Sequence, residues 1–245
     1  MYKQMTNLKK IKTKILYKFK KEPRFKIKKN IFFKNSYYEE ENFSLKFSKI
    51  KKKDRDLIKK YLKLTNSYIG YKSFLNWGGG TGVLDLLIKK INPDVEIIII
   101  EKQNLINKIY SNPVLLKKYQ SKNIVFTSDQ KYLLNGKFDV IFFFGSLCYM
   151  SSIYDFFKKS KTKYVAVSRL PMVTNSNEDF IAFDSFGNHY EYFLSYKKFN
   201  KIISEEFEFL YFEEHWGGLK KNKQKIENFK IKSFDILLER KNKKL

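Results

Sequence analysis

A lone cysteine, Cys148, excludes an internal disulfide, and no histidine stands near it in sequence to make it a nucleophile. Only two histidines, His189 and His215, accompany it, and these three residues do not approach metal-ligand spacing, so no metal is expected. Long apolar runs are also missing. The longest, Phe138 to Met150, is broken by Asp139 and by Gly145-Ser146, whereas about 20 apolar residues are needed to cross a bilayer. The basic N-terminus lacks the apolar stretch of a signal peptide, and a cytoplasmic protein with no transmembrane segment is expected. Arginine and alanine are scarce: four of the 50 basic residues are arginine, and Ala166 and Ala182 are the only alanines. The formal charge of +25 invites a nucleic-acid reading. Nucleic-acid surfaces, however, favour arginine for bidentate contacts. A lysine excess beside abundant Asn, Ile, Phe and Tyr is what AT-rich codons encode, so a nucleic-acid partner stays open but is not favoured.

What is present is ample apolar material, 43% hydrophobic and 18% aromatic over 245 residues, enough for one substantial core. Residues 1–54 read as a basic extension or cap with poor apolar periodicity, interrupted by Pro23 and punctuated by Tyr37-Tyr38-Glu39-Glu40-Glu41. Residues 55–245 read as one α/β domain. Leu57, Ile58, Tyr61, Leu62 and Leu64 predict an amphipathic helix ending at Gly70. Short apolar runs then alternate with helical stretches, the pattern of a parallel sheet with crossover helices. Strands are expected at Ser73–Trp77, Glu96–Glu101, Ile124–Thr127, Asp139–Phe144 and Lys163–Ser168. Helices are expected at Gly82–Lys90, Gln103–Tyr110, Asp129–Leu134 and Ile153–Lys159. A helix at Tyr196–Glu205 and two strands able to pair as a hairpin, Phe207–Glu214 and Phe234–Arg240, close the chain.

The run Asn76-Trp77-Gly78-Gly79-Gly80-Thr81-Gly82-Val83 reads as strand, glycine turn and helix start. Glycines allow a ligand close to the backbone, and the helix start offers free N–H groups to an anion. A dinucleotide fingerprint would want glycine where Val83 stands. The spacing of Gly78, Gly80 and Gly82 instead resembles motif I of S-adenosylmethionine (SAM)-dependent methyltransferases, with Asn76 in the place usually held by an acid. Glu101 follows Gly80 by 21 residues at the end of Ile97–Ile100, where an acid can accept from both ribose hydroxyls. Ser128-Asp129, after the third strand, has two readings: a carboxylate for an adenine amino group, or a plain helix cap. Phe138 to Ser146 resembles the motif IV strand, whose end, Gly145-Ser146, lies at the topological switch region.

From about residue 70 to 215 the chain resembles a methyltransferase family often encoded in bacterial surface-polysaccharide (O-antigen-type) gene clusters. The resemblance rests on Ile100-Glu101-Lys102-Gln103, Gly145-Ser146-Leu147-Cys148-Tyr149, Arg169-Leu170-Pro171 and Tyr190-Glu191-Tyr192-Phe193-Leu194-Ser195. It implies a Rossmann-like SAM methyltransferase fold, with a seven-stranded, mainly parallel sheet, a C-terminal antiparallel hairpin and helices on both faces. It also implies SAM as cofactor, held by Asn76, Gly78, Gly79, Gly80, Gly82, Glu101, Lys102, Ser128, Asp129, Gly145 and Ser146, and a small-molecule or glycan acceptor.

For catalysis, His189, expected in a loop past the fifth strand, is the first candidate for a general base, beside a structural reading. Arg169 offers a clamp for a substrate phosphate or carboxylate; its rival is an ion pair with Asp179 or Asp184. Tyr149 lines the substrate mouth or packs in the core. His215, beside Trp216, reads as a packing residue. Two other functions stay open: an RNA or DNA methyltransferase docking through the basic N-terminus, although no Asn/Asp-Pro-Pro-Tyr/Phe motif is present, and a methyltransferase-like protein without activity.

Overall fold

The computed structural model describes residues 25–28, 51–65, 73–135, 138–184, 189–217 and 225–242. Most of the basic extension, including Tyr37–Glu41, lies outside the described residues, as do the expected helix end at Gly70 and the Gly187-Asn188 pair.

Five strands stand in parallel, in the order β4 (Ile124–Thr127), β3 (Glu96–Ile100), β2 (Ser73–Trp77), β5 (Val140–Phe144) and β6 (Tyr164–Val173). On the far side of β6, β11 (Phe229–Arg240) runs antiparallel, and β9 (Phe207–Glu214) pairs antiparallel with β11. The expected seven-stranded sheet and its antiparallel closing pair are therefore present. Central strands of such a sheet are covered on both faces, so their sequences are apolar throughout rather than alternating. Ile97, Ile99 and Ile100 of β3 are buried, as are Val140, Ile141, Phe142 and Phe143 of β5.

Helices cover both faces. One face packs against α1 (Lys52–Leu64), α2 (Val83–Ile91), α3 (Gln103–Tyr110) and α4 (Pro113–Gln120) through Leu57, Tyr61, Ile88, Ile106 and Tyr119. In α3 the apolar residues Leu105, Ile106 and Ile109 fall on one side, as a 3.6-residue period requires. The other face packs against α5 (Tyr132–Asn135), α6 (Ile153–Lys159) and α7 (Tyr196–Glu206) through Leu133, Phe156, Phe157, Phe199 and Ile203. Helix α4 is absent from the sequence reading, and Asn112-Pro113 is a pair that also suits a turn. The structure uses the same two residues to start a helix: Asn112 Oδ1 accepts from Leu115 N at 3.2 Å, and Pro113 occupies the first turn, where its missing N–H costs nothing. Among the described residues no helix is long and apolar enough to cross a membrane.

Two strands are longer than expected. β6 continues past Ser168 to Val173, and β11 starts at Phe229 rather than Phe234. Where they pair, Phe234 faces Leu170 and Ile236 faces Val167, so Ser168 and Arg169 of β6 oppose the single residue Asp235. This is a β-bulge, and Arg169 takes a φ of 62° there. Beyond the bulge the tip of β6 carries a second, smaller sheet. β8 (His189–Ser195) pairs parallel with β6 at Met172↔Leu194 and Val173↔Ser195. β7 (Phe180–Asp184) lies antiparallel to β8, and β1 (Phe25–Lys28) antiparallel to β7. The last strand, β10 (Lys225–Ile226), pairs with β11.

Phe157 anchors the second face. It is 1% exposed and meets Phe156, Phe199 and Phe207 edge-on at 5.1–5.8 Å. Phe157→Ala is expected to lower stability by about 3–5 kcal/mol through lost contacts and the cavity left behind, read as a shift in the urea midpoint with an unchanged slope.

Candidate active site

The C-terminal ends of β2, β3, β4 and β5 meet at one edge of the sheet and bring most of the predicted residues together. The turn after β2 is held from below: Gly78 N donates to Ile100 O at 2.9 Å and Gly82 N to Gly79 O at 3.1 Å. Two glycines are required for different reasons. A Cβ on Gly79 would lie 2.8 Å from both Asn76 Nδ2 and Ile99 Cγ2, a clash with the packed strand ends. Gly80 has a φ of 59°, and a Cβ there would meet nothing within 4 Å, so open space lies above the turn.

Glu101 faces that space. It is 5% exposed, and its two oxygens are split between Gly80 N (Oε2, 2.9 Å) and Lys102 N (Oε1, 3.0 Å). Burial raises its carboxyl above the ordinary range, and the two backbone bonds oppose that shift. A carboxylate has about four acceptor positions, so these two bonds leave capacity for further donors. Lys102 is the cap residue of α3. At the end of β4, Ser128 Oγ donates to Gln103 Oε1 at 2.8 Å, and Asp129 Oδ1 accepts from Lys131 N at 2.9 Å in a turn leading to α5. Both residues are exposed.

Two predicted cofactor residues have inward partners instead. Ser146 is fully buried and donates to Trp77 O at 2.6 Å, tying the end of β5 to that of β2. Gly145, ahead of it, is fixed by its N–H to Ser168 O at 2.8 Å. Asn76 is 2% exposed and sits under the glycine turn, its Nδ2 reaching both oxygens of Asp85 at 3.1 and 2.9 Å. The acid missing from the strand is thus supplied from α2. Burial pushes the Asp85 carboxyl up to about 7, with the Asn76 bond only partly offsetting it.

The structure departs most from the sequence expectation around His189. His189 is not in a loop: it is the first residue of β8 and 3% exposed. The strand brings it to Tyr149, in a 3-10 turn after β5, with ring centroids 5.2 Å apart. Two of the three predicted catalytic residues therefore meet. Glu191, missed in the sequence, joins them: its Oε1 lies 3.0 Å from His189 Nε2 and 3.4 Å from the Tyr149 hydroxyl. Asp184 completes the group, with one ligand atom from each of Asp184, His189 and Glu191 all within 4.8 Å of one another. The expectation of no metal was drawn from spacing along the chain. It weighed only histidines and the cysteine along the chain, whereas this group is assembled across a strand pair. His189-Tyr190-Glu191 carries the one available signal, two ionisable residues two apart on a strand and hence on one face.

Arg169 pairs with neither Asp179 nor Asp184. Its Nη2 donates to Asp54 Oδ2 at 2.7 Å, and its guanidinium lies over the Phe144 ring at 4.7 Å, while the side chain stays 41% exposed. Asp179 is held by Lys198 and Ser195 N. His215 packs against Trp216, as expected, but its Nδ1 also meets both oxygens of buried Asp235 at 3.0 and 2.8 Å. The same carboxylate accepts from Ser168 Oγ at 2.7 Å and Arg169 N at 3.1 Å.

No protein-family model matches the chain, and no curated protein matches it. Solved structures do. The N-terminal domain of EvdMO1, crystallised in the presence of S-adenosylhomocysteine (SAH) and D-fucose, superposes with a TM-score of 0.55 at 10% identity, over 79% of this chain and 85% of that one. A SAM-dependent methyltransferase from Clostridium acetobutylicum ATCC 824 gives 0.50 at 14% identity, over 78% and 92%. The fold is that of the class I SAM-dependent methyltransferases. The sheet edge described above, with its glycine turn and Glu101, is the edge at which the sequence reading expects the cofactor.

Asp85 makes the methyltransferase fold pH-sensitive. Its folded value near 7 lies above the ordinary 3.8, so the folded state binds the proton more tightly and stability falls as pH rises between the two values. In Asp85→Asn the new amide keeps an acceptor for Asn76 Nδ2 and offers a donor to Asn76 Oδ1, which is buried without a partner. The variant is expected to gain about 1–3 kcal/mol at about pH 8 and progressively less toward about pH 4, measured by chemical denaturation across that range.

Proposed function

We propose that the chain is a SAM-dependent methyltransferase acting on a hydroxyl or amine of a small molecule, with a sugar destined for a surface glycan as the acceptor class. The observation that carries the reading is the Glu101 carboxylate, buried beneath the open space over Gly80 at the end of the second strand of a methyltransferase sheet.

The residues present fit the cofactor. Glu101 would take the ribose hydroxyls, and the glycine turn with the start of α2 would take the methionine carboxylate through free N–H groups. Lys102, Ser128 and Asp129 border the adenine side, whereas Asn76 and Ser146 shape the floor without reaching it. When bound, SAM supplies an electrophilic methyl group on a sulfonium, so the protein's task is mainly placement. Tyr149 and the His189–Glu191 pair form the acceptor side. A carboxylate accepting a hydrogen bond from the acceptor's O–H or N–H raises the electron density on the attacking atom. Arg169, held over Phe144 and half-exposed, offers its remaining N–H groups to an anionic substituent of the acceptor. The sugar reading is supported by the family resemblance of Gly145–Tyr149 and Arg169–Pro171. The EvdMO1 domain, crystallised with SAH and a hexose present, points the same way.

Calorimetric titration with SAH tests the proposal. Wild-type protein is expected to bind, and Glu101→Ala to bind more weakly by about 1–3 kcal/mol, the cost of unpairing charged hydrogen bonds. Absence of SAH binding by the folded wild-type chain overturns it. The acceptor class is read separately, by mass spectrometry for a methyl gain on nucleotide-linked or free sugars.

A further inference from the structure

The group around His189 has features that an acceptor-side hydrogen bond does not require. Asp184 on β7 stands directly opposite His189 on β8, and Glu191 follows two residues later. Side chains alternate along a strand and match across a ladder, so the pairing places all three on one face. They are 1%, 3% and 1% exposed, and one ligand atom from each lies within 4.8 Å of the others.

We propose that Asp184, His189 and Glu191 bind one divalent first-row transition cation. The donor set, one imidazole nitrogen and two carboxylates, suits Mn2+, Fe2+ or Zn2+; Mg2+ and Ca2+ favour oxygen-only shells. Ligands around such an ion sit at about 2.0–2.2 Å and therefore at most about 4.4 Å from one another. Side-chain rotations of a few tenths of an ångström close the present spacing. The contact between His189 Nε2 and Glu191 Oε1 at 3.0 Å is then replaced by two bonds to the ion, with loss of any proton held between them. Tyr149, whose hydroxyl reaches Glu191 Oε1 at 3.4 Å, orients that carboxylate from outside the coordination shell, as outer partners of metal ligands do. Three protein ligands leave at least one coordination position open, available to an oxygen of the acceptor. That last role rests on the methyltransferase reading; the cation site itself does not.

The full-length chain, stripped of metal with a chelator, is titrated with Mn2+ while free Mn2+ is followed by electron paramagnetic resonance. One Mn2+ per chain, displaced by Zn2+, is expected. Asp184→Asn, Glu191→Gln and His189→Ala should each weaken Mn2+ binding at least about tenfold, and His215→Ala should leave it unchanged. Asp184→Asn preserves side-chain volume and covers the case in which the histidine variant fails to fold, with circular dichroism as the check. A wild-type chain that takes up neither Mn2+ nor Zn2+, or binding that survives all three substitutions, overturns the site. SAH titration of the same samples separates the two conclusions. SAH binding without Mn2+ uptake removes the cation site and keeps the methyltransferase reading. Mn2+ uptake without SAH binding does the reverse.

Discussion

One carboxylate organises the His189 side of the molecule. Asp235 sits on β11 where β6 has an extra residue, and it receives Ser168 Oγ, Arg169 N and His215 Nδ1 together. The extra residue would leave an N–H unmatched in the ladder and holds Arg169 in a left-handed conformation that a side chain adopts at some cost. The carboxylate satisfies that N–H and fixes the bulge. Two consequences follow. Arg169 swings out over Phe144 to reach Asp54 at the start of α1, and β6 continues beyond the sheet with its pairing intact. That continuation supports β8, and β8 carries His189 and Glu191 to Tyr149. A loss of Asp235 would therefore be felt at the C-terminal end of β6, where β8 pairs.

The glycine-turn side depends on a simpler constraint, the close approach of the turn to the strand ends beneath it. Gly79 fits only because it has no side chain, Asn76 lies beneath it, and Asp85 faces Asn76 from the adjoining helix. The ordinary arrangement would put an acid on the strand. Here the charge has moved to the helix and into a fully buried position, which is why its proton affinity rises toward neutrality. Placement of the turn survives the exchange because an amide and a carboxylate bond as well as the reverse pairing.

Much of this was legible in the sequence, for local reasons. Buried parallel strands announce themselves as apolar runs, so the bounds of β2 agree with expectation residue for residue and those of β3 and β5 within one residue; the bounds of the outer strands β4 and β9 agree as well. Glu101 was found because a strand end and a fixed distance from Gly80 define its place. The smaller sheet was not legible. The sequence reading ended β6 at Ser168, ahead of Pro171, a residue that cannot donate to a ladder. In the structure the strand passes through it, opposite Ser233. Gly187-Asn188 beside His189 suggested a loop, whereas His189, Glu191 and Phe193 alternate inward along β8. Ion pairs were the least legible. Arg169 finds Asp54 115 residues away, and no local pattern encodes such a distance.

The ladder that joins the smaller sheet to the larger one has a mechanical meaning. Only two register pairs, Met172↔Leu194 and Val173↔Ser195, connect β6 to β8, whereas β6 and β11 share eight. Local opening is cheapest where few hydrogen bonds must part. The seam between the sheets is thus the compliant joint of an otherwise stiff body, the place where the smaller sheet parts from the larger one at the least cost in ladder hydrogen bonds.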